Sequence, residues 1–528
     1  MQHIFFQFGS NQWSLFIDVF TFLLLWGAAR ALEWAWLRPR RLDRKLRKQG
    51  LRGTVYRVLA TDLRENIRLN KEACSMSMPL LHDIIPRVSP LLHRTIKEYG
   101  KQSFTWFGPN PIVTIMDPEL VREILSNKFG HFEKLKGGLM SRLLANGLLS
   151  HDGERWAKHR RILNPAFHVE KLKRMLPAFS TCCDELVDRW ESSVGTDGSF
   201  EMDVWPEMQN LTRDVISRAA FGSSYQEGRR IFQLQGELVE HIVKALPTTV
   251  LPFNWYLPTE NNKRMKQIAR EVRTLIMNII AKREKAIQNG ETIKDDLLGL
   301  LLEYSNVKEK EQKGNSDSSA GMTTDEVIEE CKTFYFTGQE TTSVLLTWTM
   351  VVLSMHSEWQ EKARDEVLQR FGKQKPDFDG LSRLKIVTMI LYEVLRLYPP
   401  AVMLTRHSYK IMQLGNLTIP PGVILRLPIL FIHHDPEIWG HDATEFKPTR
   451  FAEGISKATR NGQLAFFPFG WGPRICIGQN FALLEAKMAL SMILQHFKFE
   501  LSENYQHAPY TIITLHPQHG APIKFQRL

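Results

Sequence analysis

The segment "FFPFGWGPRICIG", residues 466–478, combines five glycine and proline breakers with one arginine and one cysteine after an apolar flank. It fits neither a regular strand nor a helix, yet an apolar helical pattern, "NFALLEAKMALSMILQHF", begins immediately after it. A fold containing it must present a lone cysteine on a rigid loop at a helix start. The positive potential there lowers a thiol pKa and favours the thiolate. Flanking glycines let backbone N–H groups approach the sulfur without Cβ clashes. Such a cysteine is a metal ligand, a buried structural residue or a nucleophile. A nucleophile needs a histidine base, and the nearest, His496, lies twenty residues away inside the helical pattern. Five cysteines (Cys74, Cys182, Cys183, Cys331, Cys476) are too few for a disulfide framework and suit a reducing compartment.

A second constraint is the apolar run "WSLFIDVFTFLLLWGAA", Trp13 to Ala29. As a helix its seventeen residues rise about 26 Å, enough for a thin bilayer. Asp18 is tolerated near an interface. Arg38, Arg40, Arg41, Arg44, Lys45, Arg47 and Lys48 follow the run, and no Lys or Arg precedes it. The positive-inside rule then keeps the bulk of the chain cytosolic. A cleaved signal peptide is the competing reading; the missing basic n-region and Arg30 in the cleavage-like site count against it. The formal charge is +11, of which residues 1–50 carry +5. That concentration beside an apolar run points to a membrane surface rather than nucleic acid.

Hydrophobic content of 43% and charged content of 24% are ordinary for a globular protein. Helical patterns dominate from Asp62 onward. The clearest spans 323–356, opened by a capping box of Thr323 and Glu326 and apolar on nearly every side in its second half, so it should cross the core. Before it, "VKEKEQKGNSDSSAG" reads as a solvated loop. Strand-like segments are sparse: "SFTWFG" and "PIVTIM" near 103–116, "LTIPPGVILRLPIL" near 417–430, and the C-terminal tail. With no repeats, the organisation expected is an anchor (1–37), a basic linker (38–61) and one large, mainly α domain with small peripheral β-sheets (62–528).

Three further constellations stand out. In the long helix, "TGQETT" puts Gly338 one turn from Thr341, a missing side chain beside a hydroxyl on one face. That makes a notch able to hold a diatomic ligand, or a back-bonded threonine beside a kinking glycine. Glu393 and Arg396 in "YEVLRLYPP" pair at i, i+3, a common surface arrangement by itself. Trp156 and Arg160 in "GERWAKHRRILNPAF" stand at i, i+4 and read equally as one amphipathic face.

Taken with Phe469, Gly472, Arg474, Cys476 and Gly478, these motifs resemble the cytochrome P450 family in order and spacing from about 150 to 480. "LNPAFHVEKLKRMLPAF", "EVLRLYPP", "GQNFALLEAKMALSMILQHFKFE" and "LHPQHGAPI" are similar to the plant subgroup that includes secologanin synthase. The resemblance implies the P450 fold behind one transmembrane helix, and haem b ligated by Cys476 on the loop bearing Phe469 and Gly478. It implies an acid–alcohol pair at Glu340 and Thr341, flanked by Gly338 and Thr337, that passes protons to oxygen. Thr337 stands where the family usually has Ala or Gly. Glu393, Arg396 and Arg450 should interlock structurally, although Thr449 stands where an acid is common. Trp156, Arg160, Arg406 and Arg474 should serve the haem propionates, with His407 as a possible substitute for Arg406. Substrate contacts are expected from the 130–150 loop, Phe334, Thr337, Ala401, Val402, Met403, Leu404, Ile512, Ile513 and Leu515.

The activity implied is a monooxygenase acting on a hydrophobic, terpenoid substrate at the endoplasmic reticulum membrane. No G-x-G-x-x-G loop follows a strand, so NADPH should bind a separate reductase, NADPH-cytochrome P450 reductase, with cytochrome b5 as a further partner. Lys158, Arg161, Lys171, Lys173, Arg174 and Lys487 offer a docking face for such acidic partners or an ordinary solvated surface. Alternatives are a fatty-acid, hormone or herbicide oxidase, a reductase-independent isomerase or dehydratase of the same fold, and a non-catalytic haem sensor or structural membrane protein.

Overall fold

Thr323 and Glu326 each bond the other's backbone N–H, at 2.9 and 3.1 Å, and so start the helix Thr324–Met355. This central helix belongs to a computed structural model that describes residues 2–58, 61–126, 131–134, 138–223, 225–249, 254–290, 296–313 and 321–528. From Glu330 to Leu353 the helix is buried at every position except Thr337, Gly338 and Thr341. A helix apolar on nearly all sides has to be enclosed by neighbours, and this one is. The helix Val204–Phe221 lies along it, with Thr212 donating to the Gln339 carbonyl at 3.0 Å. The helices Ile386–Leu397 and Gln479–His496 also pack against it.

The sheets are peripheral, as expected for a mainly α domain. The largest has six strands in the order Arg52–Gly53, Ser103–Phe107, Asn110–Thr114, Ile424–Leu427, Leu404–Ser408 and Phe132–Glu133. Its register places Ile112 beside Ile424 and Arg406 beside Leu425. A second sheet joins Phe497–Leu501, Pro522–Arg527 and Ser199–Asp203, with Phe200 stacked on Phe525 at 4.9 Å. The segment near 417–430 is not one strand. Pro420, Pro421 and Gly422 (φ 89°) divide it into Leu417–Ile419 and Ile424–Leu427, which join different sheets. The polar stretch before the central helix is also not all loop: the helix Leu297–Lys313 takes its first half, and residues 314–320 lie outside the described ones.

At the N-terminal end a helix runs from Gln2 to Leu32, and Leu15 to Trp26 present apolar side chains to the outside. The stretch Leu15–Arg47 is long and apolar enough to cross a membrane. The basic segment expected as a linker is helical over much of its length. A π-turn at Glu33–Leu37 leads into a helix Arg38–Arg47, whose Leu42 and Leu46 are buried in the core. Its polar face is tied down as well: Arg38 donates to Asn110 at 3.3 Å, and Gln49 exchanges two bonds with the Thr418 backbone.

Several histidines are locked neutral in the interior. Burial, aided by neighbouring cations and histidines, pushes His82 and His434 down to about 3 and His507 to about 4. Above pH 6.5 neither the folded nor the unfolded chain protonates them. Below it only the unfolded chain does, so stability is lost as pH falls toward 4. The unfolding midpoint should therefore drop between pH 7 and 5, by up to about 1.4 kcal/mol per pH unit for each such histidine. His434→Gln, which keeps a donor for the Leu397 carbonyl at 3.0 Å, should flatten that slope. An unchanged slope in denaturant titrations would refute the assignment.

Candidate functional site

The cysteine loop is closed by its own backbone, the Cys476 N–H donating to the Phe469 carbonyl at 2.9 Å. Gly472 has φ 71°, and a Cβ there would meet the Leu125 carbonyl at 2.6 Å. Only glycine fits that turn. Gly478 caps the helix Gln479–His496 and directs its N–H to the cysteine. Arg160 reaches the same loop, donating to the Ile475 carbonyl at 2.8 Å.

Cys476 is exposed, although protein surrounds it closely enough for burial to raise its thiol pKa. It therefore lines an internal hollow rather than the outer surface. The Gly478 N–H and the Arg160 charge pull the pKa down, as expected at a helix start, but burial outweighs them. The thiolate in such a site needs a cation on the sulfur itself, and a metal ion supplies one.

Above one side of this region stand four cationic or N–H-bearing groups with too little negative charge to match. Arg474 donates to the His151 carbonyl at 2.7 Å and contacts Asp152, while its buried Nη1 has no partner among the described residues. Its guanidinium lies over the Trp156 ring, 4.6 Å from the centroid. Arg406 is buried and, among the described residues, donates to the Thr405 carbonyl at 2.8 Å; desolvation, then Arg474, pushes it down to about 10. Lys134 is brought to about 7 by desolvation and by Arg406 and Arg474. Asp152 bonds both the Lys134 N–H and Arg474, and Glu133 adds its negative field to Arg474. Asp152 is held in place because the preceding Leu148 N–H is fixed by Glu330 at 3.0 Å, which also bonds His159 at 2.6 Å. Excess buried positive charge calls for an anionic partner. Two propionates fit this cluster and an iron fits Cys476, so the donor set suits haem b. Sequence reading missed Lys134, whose role comes from a two-residue strand, Phe132–Glu133, too short to give a signal. His407 is no substitute for Arg406: strand alternation turns it to the other face, against Tyr409 at 4.3 Å.

The Glu393–Arg396 pair is fully buried and bidentate, with both bonds at 2.7 Å. Arg396 also donates to the carbonyls of His433 and Glu445, at 2.7 and 3.1 Å, and to that of Ala443. Arg450 donates to Glu393 at 3.3 Å and pairs with Asp442 at 2.8 Å. Asp442 thus provides the carboxylate that Thr449 does not. His433 continues the linkage by accepting the Phe467 N–H at 2.9 Å, one residue into the cysteine-loop segment.

Both threonines of the central helix are back-bonded: Thr337 donates to the Thr333 carbonyl at 2.9 Å and Thr341 to the Thr337 carbonyl at 3.1 Å. Their oxygens keep lone pairs for an acceptor role. Gly338 has a packing reason that the notch did not anticipate, since a Cβ there would strike Ile216 at 2.8 Å. The buried Glu340 carboxylate accepts from Thr514 at 2.7 Å and His516 at 2.5 Å. Burial raises its pKa, but those bonds and the field of Arg213 hold it below the ordinary value.

The expected apolar lining divides. The 401–404 segment and the hairpin Pro509–Thr511/Leu515–Pro517 are joined by Leu515 N–H to the Pro400 carbonyl at 3.2 Å. Ala401, Leu404, Ile512 and Ile513 keep partial exposure, and Met403 is exposed. Phe334, Val402 and Leu515 are buried, Phe334 stacked on Phe167 at 5.5 Å. Part of the 130–150 loop, residues 130 and 135–137, lies outside the described residues.

Comparison with known proteins agrees with this arrangement. The family model described as Cytochrome P450 matches residues 86–521. Cytochrome P450 CYP72A616 of Paris polyphylla is 63% identical over 504 residues, covering 95% of this chain and 96% of its own. Cytochrome P450 72A15 of Arabidopsis thaliana is 53% identical, covering 98% and 99%. The 11-oxo-beta-amyrin 30-oxidase of Glycyrrhiza uralensis is 54% identical, covering 93% and 94%.

Cys476→Ser should fold, judged by circular dichroism, yet lose the reduced carbon monoxide difference band of cysteine-ligated haem. Retention of that band would remove Cys476 as the ligand.

Proposed function

The chain belongs to the cytochrome P450 family and is a haem-thiolate monooxygenase supplied with electrons by NADPH-cytochrome P450 reductase, and we propose that its substrate is a bulky terpenoid. The observation that supports this reading most is the small window of Thr337, Gly338 and Thr341 in an otherwise buried helix. A reactive centre facing that window would be bordered by the apolar positions Ala401, Leu404, Ile512 and Ile513. Apolar lining with few polar groups favours a large hydrophobic ligand. Similarity to a relative named for oxidising a β-amyrin derivative favours a triterpenoid, with iridoids and gibberellin-like diterpenoids as neighbouring possibilities.

Bound haem supplies the site at which O2 is reduced and split, and the family is a standard example of thiolate donation promoting O–O cleavage. The protein provides the rest. Cys476 would hold the iron, while Arg406, Arg474 and Lys134 would neutralise the propionates, the Trp156 N–H would donate to one of them and Arg160 would brace the loop. Glu340 would hold or release a proton, and the Thr341 hydroxyl, once turned from the Thr337 carbonyl, would pass it toward the reacting oxygen. Arg161, exposed on the helix that also carries Arg160, is a candidate contact for the reductase and for cytochrome b5. Lys158 and Lys487 are engaged elsewhere, near Glu326 and on the Leu381 carbonyl. The exposed apolar helix would place the enzyme on the endoplasmic reticulum with its domain in the cytosol. An isomerase or dehydratase reading is disfavoured by the intact Glu340–Thr341 pair, which such chemistry does not need.

Titration of the holoenzyme with oleanane triterpenoids, iridoids, gibberellin precursors and fatty acids should give a substrate-type haem spectral shift with a terpenoid. A shift with fatty acids alone would overturn the substrate class. In reconstitution with reductase, Thr341→Ala should raise the fraction of NADPH lost to hydrogen peroxide several-fold. An unchanged fraction would exclude that hydroxyl from proton transfer.

A further inference from the structure

Sequence motifs single out Glu340 but leave open how a buried carboxylate regains the proton it gives away. The C-terminal hairpin answers this with His516, which lies in the "LHPQHGAPI" stretch but carries no role from it. His516 Nε2 lies 2.5 Å from Glu340 Oε1, and Thr514 Oγ1 sits 2.7 Å from the same oxygen and 2.8 Å from Nε2. Thr514 donates to the carboxylate, and with Glu340 ionised the short contact is met by a proton on Nε2 pointing at Oε1. The ring is held between Trp205, at 4.8 Å, and Tyr510, at 6.0 Å, and retains 14% side-chain exposure. On the same side-chain measure Glu340 is 12% exposed, so the two groups sit at nearly equal depth.

We propose that His516 is the proton-supplying and positioning residue of Glu340, linking the buried carboxylate to solvent. One proton enters the imidazole from water and one leaves Nε2 for Oε1. The ring's charge is unchanged over the transfer, and the carboxylate becomes a carboxylic acid able to serve Thr341. The other groups facing this pair shape the transfer without competing for it. Gln339 donates to Glu340 Oε2 at 3.2 Å. Arg213, from the helix Val204–Phe221, contributes a positive field, and the Tyr510 phenol on the hairpin stays protonated because burial raises its pKa. Histidine suits the role because its two ring nitrogens accept and donate on opposite edges.

This inference rests on Glu340 and Thr341 acting as the proton relay, and the test separates the two. In the holoenzyme, the Glu340 carboxyl band is assigned by infrared difference against Glu340→Gln, without turnover. His516→Phe should move the pH at which that band appears upward, because a hydrogen bond to the charged form is lost. An unmoved band would overturn the contact. With reductase, NADPH and 11-oxo-β-amyrin as probe, His516→Gln keeps an amide donor but carries no proton. It should raise the peroxide fraction at least threefold while leaving the carbon monoxide band intact. Parent-like peroxide release in His516→Gln, beside a raised fraction in Glu340→Gln, would overturn the role of His516 alone. If Glu340→Gln is also parent-like, the relay itself falls and this role with it.

Discussion

The arrangement depends on a carboxylate that water does not reach. Glu393, fully buried, is balanced by the bidentate Arg396 and by Arg450, and these arginines in turn hold carbonyls contributed by residues 433 to 445. Removing one partner of such a pair leaves a buried charge uncompensated, at a cost of about 3–5 kcal/mol. That penalty makes the geometry of an irregular, strand-poor stretch unusually definite. His433 passes the constraint on to Phe467, and so to the segment that ends at Cys476. A loop of glycines and prolines has no regular structure of its own to position a sulfur, and the buried ion cluster does that for it.

What the sequence made legible was local. The cysteine loop, the capping box at Thr323, the Glu393–Arg396 spacing and the Trp156 turn all lie within a few residues, where periodicity and turn chemistry act directly. The cytochrome P450 resemblance, carried by motif order, extended that reading to the fold. What escaped was assembled across the chain. Asp442 replaces a carboxylate absent at Thr449, Lys134 joins Arg406 and Arg474 across a two-residue strand, and His516 meets Glu340 across 176 residues. None has a spacing that a linear pattern could reveal. The thiol of Cys476 shows the same limit: its helix-terminal field was legible, while the burial that outweighs it belongs to tertiary structure.

The hollow is bounded by two kinds of surface that serve opposite purposes. On the side of Arg406, Arg474 and Lys134, positive charge is concentrated beyond what Asp152 balances, which selects for an anionic group and fixes its orientation. Ala401, Leu404, Ile512 and Ile513 are partly exposed apolar positions that offer little to hydrogen-bond.

The helical path from Gln2 to Arg47 carries a mechanical implication. Because Leu42 and Leu46 are seated in the core just past the π-turn at Glu33–Leu37, the apolar rod and the globular body are coupled as a lever is to its mount. Any force that tilts the rod would therefore turn the whole body with it.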